Sequence, residues 1–101
     1  MSVTIVTTRR GGAREAMITA ARKLKAAVEK HGAESFTLSQ ISIGQGTDSG
    51  HWVISIGFTD WEALGKNMQA TLNDPAAQEA SAGLNLISEI LSRRAVAGVD
   101  L

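Results

Sequence analysis

The order of strand-like and helix-like segments along the chain predicts an α+β fold. Short runs rich in β-branched residues alternate with a period of two, and longer runs repeat apolar residues every three or four positions. Taken in order, these segments give β-α-β, a glycine-rich connection, and β-α-β again. A doubled βαβ unit is the ferredoxin-like arrangement, in which four antiparallel strands carry two helices on one face. The sequence therefore predicts a single ferredoxin-like βαββαβ domain over residues 1–101.

The first third of the chain contains a short strand and a long helix. Val3–Thr8 is rich in β-branched residues and is predicted to be a strand that ends in a turn at 9–12. Over 13–31, alanine and other apolar residues recur at steps of three and four, with charged residues on the rest of the helical wheel. Because alanine is the strongest helix former, this region is predicted to be an amphipathic helix. Gly32 stands where a left-handed residue would end that helix.

A second strand and a glycine-rich connection follow the helix. Ser35–Ile43 is predicted to be a strand, and a change of phase in its apolar residues predicts a β-bulge near Ser39–Gln40. The stretch Gly44–Gly50, GQGTDSG, is interpreted as a long hairpin loop between two strands. A phosphate-binding loop is the alternative interpretation, but the stretch lacks the lysine and the following helix that such a loop requires. The plain loop is therefore favoured.

The most regular part of the sequence is a strand followed by a capped helix, within Gly50–Pro75. His51–Thr59 alternates with a period of two, and its apolar face consists of Trp52, Ile54, Ile56 and Phe58. Thr59 and Glu62 fit a capping box at the start of a helix, with Asp60 as a competing N-cap. The apolar stripe of this helix is predicted to consist of Trp61, Leu64, Met68 and Leu72.

The last part of the chain allows two interpretations. Asp74–Pro75 supplies a cap and a first-turn proline for a short helix over Ala76–Ala82, which Gly83 is expected to break. The apolar spacing in 84–93 fits a further helix, but the same residues also fit a strand. We predict a strand over Ile87–Val99, because the second βαβ unit requires one.

Composition limits the classes of partner. Apolar residues make up 44% of the chain and charged residues 20%, which is typical of a packed domain. Ten basic residues balance ten acidic ones, so neither nucleic acid nor an anionic membrane is expected as a partner. The chain has no cysteine, which excludes disulfides and thiolate metal ligands. No segment has the pattern of a signal peptide or a membrane span, and a cytoplasmic location is therefore expected.

The predicted architecture also points to self-association. Two helices can cover only one face of a four-stranded sheet, and the other face is predicted to present Val, Ile, Thr and Ser side chains. An exposed apolar surface of this kind is usually an interaction site. Two such sheets that pack face to face would bury it, and a formal net charge of +0 leaves little repulsion between copies. A homodimer is the predicted assembly.

The segment Phe58–Asn67, FTDWEALGKN, resembles one shared by small dimeric α/β-barrel proteins. That superfamily includes antibiotic-biosynthesis monooxygenases, haem-degrading monooxygenases and stress-responsive barrel proteins, and its order of elements is similar over nearly the whole chain. The resemblance implies a barrel made from two sheets, with a ligand pocket between sheet and helices in each subunit. Where haem-degrading members carry a Trp and an iron-ligating His, this chain has Phe58 and Asn67. Because an amide is a poor iron ligand, the resemblance favours an activity without haem, metal or other cofactor.

The resemblance also implies a set of site residues. In the cofactor-independent members, polar side chains hold an acidic aromatic or quinol substrate beside oxygen. By analogy, Asn67 would hydrogen-bond the substrate oxygen and Trp61 would stack on the ring. His51, an imidazole at the start of the central strand, is added as a candidate base. The substrate-binding residues are expected to be Trp52, Phe58, Met68 and Arg94. Replacing Asn67 with Ala is then expected to abolish turnover and to leave the dimer intact.

Each of these residues also has a purely structural interpretation. Core packing is the simpler interpretation of Trp52 and Trp61, because aromatic residues dominate buried area. An exposed helix position is the simpler one for Asn67, and an exposed strand end for His51. The arginine pairs at 9–10 and 93–94 fit solvated charge, and binding of an anion by one of the guanidinium groups is the alternative.

Three functions remain open for a pocket of this type. They are oxygenation of a planar aromatic or quinol substrate, non-catalytic binding of a small aromatic ligand by a stress-related barrel protein, and haem binding with His51 as the ligand. All three share the fold, so only the polar groups that line the pocket can rank them.

Overall fold

A four-stranded antiparallel sheet with helices packed against it forms the protein, of which the computed structural model describes residues 2–41 and 51–99. The elements are β1 (Val3–Arg10), α1 (Arg14–Lys30), β2 (Ser35–Gln40), β3 (Trp52–Phe58), α2 (Trp61–Leu72), α3 (Pro75–Ile87) and β4 (Glu89–Ala97). The sheet order is β2-β3-β1-β4, and each neighbouring pair is antiparallel. This architecture confirms the predicted ferredoxin-like α+β fold.

The core lies between the sheet and the helices, because one face of the central strands is apolar. One cluster of buried side chains connects β3 with α1 and α3, and consists of Met17, Trp52, Ile54 and Leu84. A second cluster connects the start of β1 and the end of β3 with α2, and consists of Val3, Phe58 and Leu64. The two clusters fix all three described helices onto the same sheet.

α1 confirms the prediction for the first helix. Its buried residues are Met17, Ala21, Ala27 and Val28, all of which belong to the predicted apolar face. Gly32 follows with a φ of 94°, in the left-handed region that glycine tolerates best. β1, by contrast, does not end in a turn at 9–12. It continues through Arg10, because Arg9 and Arg10 pair with Ile90 and Glu89 of β4.

The β-bulge predicted near Ser39–Gln40 is wrong. β2 pairs with β3 in one constant register through its last residue, and the Ile41 N–H then donates to the His51 carbonyl at 2.8 Å. The irregularity lies instead in the pairing of β1 with β4, between Thr8 and Arg9. The glycine-rich stretch, and the last two residues of the predicted second strand, lie outside the described residues.

α2 is capped by Asp60, the competing candidate, and not by Thr59 of the predicted capping box. The Asp60 carboxylate accepts a hydrogen bond from the Ala63 N–H at 2.8 Å, so Asp60 and not Thr59 is the N-cap. The buried stripe is also different from the prediction, since the fully buried positions are Leu64 and Asn67. The other three predicted stripe residues are 52%, 44% and 65% exposed, and they are Trp61, Met68 and Leu72. Core packing of Trp61 was therefore a wrong interpretation.

α3 is one continuous helix, and the break predicted at Gly83 is absent. Glycine in a helix costs about 1 kcal/mol relative to alanine. The helix persists because its buried face spans both sides of Gly83 and consists of Ala77, Ala80 and Leu84. The predicted start is confirmed, with Asp74 as the cap and Pro75 in the first turn. The tail is a strand as predicted, but it begins at Glu89, because α3 continues through Ile87.

Asp74 joins the end of α1 to the start of α3. Its carboxylate accepts from the Ala76 N–H at 2.9 Å and lies 2.6 Å from Nε2 of His31, which donates to it. The hydrogen bond from His31, followed by that from the Ala76 N–H, lowers the pKa of the Asp74 carboxyl. Asp74 is thus both a helix cap and the partner of an imidazole on another helix.

Acid should remove the contribution of Asp74 to stability. The folded-state pKa lies below the ordinary value of 3.8, so the carboxylate stabilises the fold above that value. This stabilisation is lost as the pH falls through the folded-state pKa. Asp74→Asn keeps a good capping acceptor and removes the charge. Urea unfolding should show Asp74→Asn less stable than wild type near neutral pH, with the difference closing below pH 3.8.

Asp60→Asn is the matched control for this experiment. Asp60 caps α2 through the Ala63 N–H, and no imidazole partner of it occurs among residues 2–41 and 51–99. Its replacement by Asn should change the free energy of unfolding little at any pH. A difference between Asp74→Asn and wild type that stays constant from neutral to acid pH would contradict the role given to the His31 contact.

Candidate functional site

A cavity lies between the helix-facing side of the sheet and the three described helices. Its volume is about 480 Å³, within the range of sites for small molecules. Most of the wall is aliphatic or aromatic, and its sheet side includes Ile5, Ile54, Ile56 and Phe58. The polar side chains on the wall come from β1, α2, α3 and β4, and include Thr7, Arg9, Asn67, Asn85 and Arg93. The cavity therefore combines an apolar body with a few polar groups.

Asn67 lies on the cavity wall and is only 4% exposed. Its side-chain amide donates to the carbonyl of Val28 at 2.9 Å and to that of His31 at 3.0 Å. These carbonyls belong to the C-terminal end of α1, where that of Val28 also accepts from the backbone N–H groups of His31 and Ala33. Because both donors of the amide are used, Oδ1 is the atom that can accept a hydrogen bond from a ligand. The interpretation of Asn67 as an exposed helical residue was wrong.

Arg9 reaches the cavity from β1 and is 6% exposed. Its Nη1 donates to Oδ1 of Asn85 at 3.0 Å and to the hydroxyl of Ser88 at 3.1 Å, both neutral groups at the end of α3. Its Nε is buried and has no hydrogen-bond partner among the described residues. Burial, and then the nearby Arg93 guanidinium, lower the pKa of Arg9. The Arg9 guanidinium is thus held by neutral hydrogen-bond partners in a cavity whose wall is mostly apolar.

Arg93, and not its neighbour Arg94, lines this cavity. Arg93 pairs with Thr7 and Arg94 with Val6, so the two arginines stand on opposite faces of the sheet. Residues on β1 that share the face of Thr7 include Arg9, which explains why Arg9 and Arg93 approach each other. Sequence reasoning named Arg94 because the local pattern gives no signal for the register of β4 against β1.

The structure places the other predicted site residues in different surroundings. Phe58 and Met68 line the cavity together with Asn67. Trp52 is buried in the core cluster, and His51 is 8% exposed just before β3. Trp61 is half exposed at the start of α2, and none of these last three is among the described residues that line the cavity.

Within residues 2–41 and 51–99, no three His, Asp or Glu side chains come together as a group that could hold a metal ion. No helix in these two ranges is long and apolar enough to cross a membrane.

Solved structures provide the comparison, because no protein-family model and no curated protein matches the sequence. SnoaB, a cofactor-independent oxygenase from Streptomyces nogalater, is 18% identical with a TM-score of 0.74, over 99% of this chain and 95% of that one. A dimeric ferredoxin-like protein of unknown function from Jannaschia sp. CCS1 is 18% identical with a TM-score of 0.71, over 97% and 100% of the two chains. HapK from Hahella chejuensis is 16% identical with a TM-score of 0.68, over 96% and 92%. These similarities confirm that the chain has the ferredoxin-like fold of the dimeric α/β-barrel proteins it resembles.

Proposed function

We propose that this chain binds a planar aromatic molecule in the cavity, as a cytoplasmic homodimer, and oxidises it with O₂ without a cofactor. The observation that carries the proposal is the Asn67 amide, which is buried on the wall of a mostly apolar cavity with both its donors fixed. A buried acceptor in such surroundings can orient one hydroxyl group of a ring system. The shared fold with a cofactor-independent oxygenase supports the same reading.

The chemistry needs an acidic substrate, such as a phenol with an activated methylene carbon. This carbon loses two hydrogens and gains one oxygen atom of O₂, and the second oxygen atom leaves as water. Oδ1 of Asn67 would accept a hydrogen bond from the phenol, and Phe58 would contact the ring. The guanidinium groups of Arg9 and Arg93 would lower the pKa of the substrate, because a nearby cation favours the ionised form.

A second candidate function is non-catalytic binding of the same class of ligand. The observation in its favour is that no His, Asp or Glu occurs among the described residues of the cavity wall. His51, the base predicted from the sequence, is not among them either. Without a side-chain base, the substrate proton would have to leave through water, which slows an oxygenase but does not affect a binding protein.

The homodimer is proposed because the face of the sheet opposite the helices carries valine side chains that the described helices do not cover. Val6 and Val53 on this face are partly buried, and Val96 of β4 is 48% exposed. A similar solved structure is described as a dimeric ferredoxin-like protein. A second copy that packs the same face would cover these valines. Native mass spectrometry should therefore show two subunits.

Oxygen uptake with dithranol, a dihydroxyanthrone, tests the activity, because this probe carries both phenolic hydroxyl groups and an activated methylene carbon. Wild type should consume O₂ and form the quinone faster than the uncatalysed reaction. Ser81 lines the cavity from α3, so Ser81→Phe should fill part of it and reduce the rate by about ten-fold or more. Ala76 is an exposed residue of the same helix outside the cavity wall, and Ala76→Phe should keep the wild-type rate.

The outcomes separate the two candidate functions. Equal rates for Ser81→Phe and Ala76→Phe would show that the reaction does not occur in this cavity. Binding of dithranol by wild type without O₂ uptake above the uncatalysed rate would discard the oxygenase and leave the binding protein.

A further inference from the structure

We infer that the Arg9 end of the cavity is a subsite for a carboxylate, and that the natural ligand is therefore an aromatic acid rather than a neutral ring system. This inference deepens the proposed function and rests on its first part, namely that the cavity binds a planar aromatic molecule. It does not depend on whether the bound molecule is oxidised.

The hydrogen bonds of Arg9 leave one edge of its guanidinium for a ligand. Nη1 donates to Asn85 and Ser88, which fixes the plane of the group. The opposite edge carries Nε and Nη2, the parallel pair of donors that matches the two oxygens of a carboxylate. Nε is buried and has no partner within residues 2–41 and 51–99. A donor in this position has lost its water without gaining an acceptor, which is unfavourable until an anion supplies one.

The charge of the cavity wall leads to the same conclusion. Arg9 and Arg93 both line the cavity, and the described residues of the wall include no Asp or Glu. Arg10, the next residue on β1, is different, because it forms an ion pair with Glu89 on the other face of the sheet. A buried cation without a counter-ion is costly, and one added carboxylate would balance the charge of Arg9.

The positions of Arg9 and Asn67 indicate how the polar groups of the ligand are arranged. Arg9 is hydrogen-bonded to the C-terminal end of α3, at Asn85 and Ser88. Asn67 is bonded to the His31 carbonyl, and the His31 ring contacts Asp74, the N-cap of α3. Arg9 and Asn67 are thus anchored to different helices, α3 and α1, on the wall of one cavity. A ligand that reaches both carries its carboxylate and its hydroxyl group at separate positions of the ring system.

Two fluorescent probes of equal shape test the subsite. Anthracene-2-carboxylate carries the charge, and anthracene-2-methanol is its neutral counterpart. In fluorescence titrations, wild type should bind the acid about ten-fold or more tightly than the alcohol, as charge-assisted hydrogen bonds to a buried guanidinium would give. Arg93→Gln should reduce this preference severalfold and leave binding of the alcohol nearly unchanged.

Arg94→Gln is the matched control, because it removes the same charge from the neighbouring residue on the other face of the sheet. It should keep the wild-type preference for the acid, and native mass spectrometry should show the subunit number of wild type, because Arg94 lies on the sheet face proposed for the dimer. Equal loss in Arg93→Gln and Arg94→Gln would assign the preference to net charge and overturn the subsite. Arg9→Met removes the guanidinium itself, and circular dichroism will show whether this buried substitution folds. If the Arg9→Met variant folds, it should bind the acid no more tightly than the alcohol.

The remaining outcomes distinguish this inference from the proposed function. Equal affinity of wild type for the acid and the alcohol would overturn the carboxylate subsite, while the cavity would stand as an aromatic site. Failure of both probes to bind would overturn the proposed function and this inference together.

Discussion

Leu84→Ala is expected to lower the free energy of unfolding by about 3 kcal/mol. Leu84 is 0% exposed in α3 and packs in the cluster of Met17, Trp52 and Ile54. The substitution removes apolar contacts and leaves a cavity that two helices and a strand cannot all close. Urea unfolding followed by tryptophan fluorescence should measure the change, because Trp52 belongs to the same cluster.

Leu86→Ala is the control in the same helix. Leu86 is 86% exposed, so its replacement by Ala should change the free energy of unfolding by less than about 0.5 kcal/mol. The comparison tests the orientation of α3 as a continuous helix through Gly83. Similar losses for the two variants would contradict that orientation.

Asn67→Ala is expected to lower the free energy of unfolding by about 2 kcal/mol, even though it removes no large apolar group. The substitution deletes two hydrogen bonds to α1 and leaves the carbonyls of Val28 and His31 without these donors. The Val28 carbonyl keeps the backbone N–H groups of His31 and Ala33 as donors, so the cost arises mainly at the His31 carbonyl. An acceptor that loses its partner costs more than a hydrogen bond contributes on average. Thermal and urea unfolding should both show the loss. Activity of this variant must accordingly be expressed per folded protein, since the sequence alone predicted lost turnover in an otherwise intact dimer.

Asn73→Ala and Asn67→Asp are the informative comparisons. Asn73 also donates its amide to a helix carbonyl, that of Gln69, but at an exposed position. Its replacement by Ala should cost less than about 0.5 kcal/mol. Asn67→Asp keeps the shape but places a carboxylate against two carbonyl oxygens, so it should destabilise the fold more than Asn67→Ala. An Asn67→Asp variant as stable as wild type would show that the donors of Asn67 are not needed.

The sequence was informative wherever one strong local pattern decided the structure. The alternation of β3, the alanine-rich face of α1 and the pair Asp74–Pro75 each predicted an element that the structure confirms. The sequence was misleading where tertiary contacts override local preference. Gly83 lies within α3 because buried residues on both sides of it hold the helix on the core.

The candidate site was harder to predict than the fold, for a physical reason. Asn67 was selected by resemblance, and its burial depends on carbonyls of α1 that lie far away in the sequence. Arg9 was read as part of a turn, and Arg93 was passed over for Arg94. Both depend on how β4 pairs with β1, and a shift of one residue moves every side chain to the other face. Register between distant strands leaves no local trace in the sequence.

The central position of β1 has a consequence for how the chain folds. β1 is the first strand in the chain and β4 the last, yet they are neighbours, with Val3 opposite Ala97. Such non-local pairing slows folding relative to helical proteins. The chain must first lose conformational entropy to bring the two strands together, and only then do the contacts between them form. During synthesis, β1 can pair with β3 while its other edge is still open, and open edges attract strands from other chains. Completion of β4 is thus the step that closes this route to aggregation.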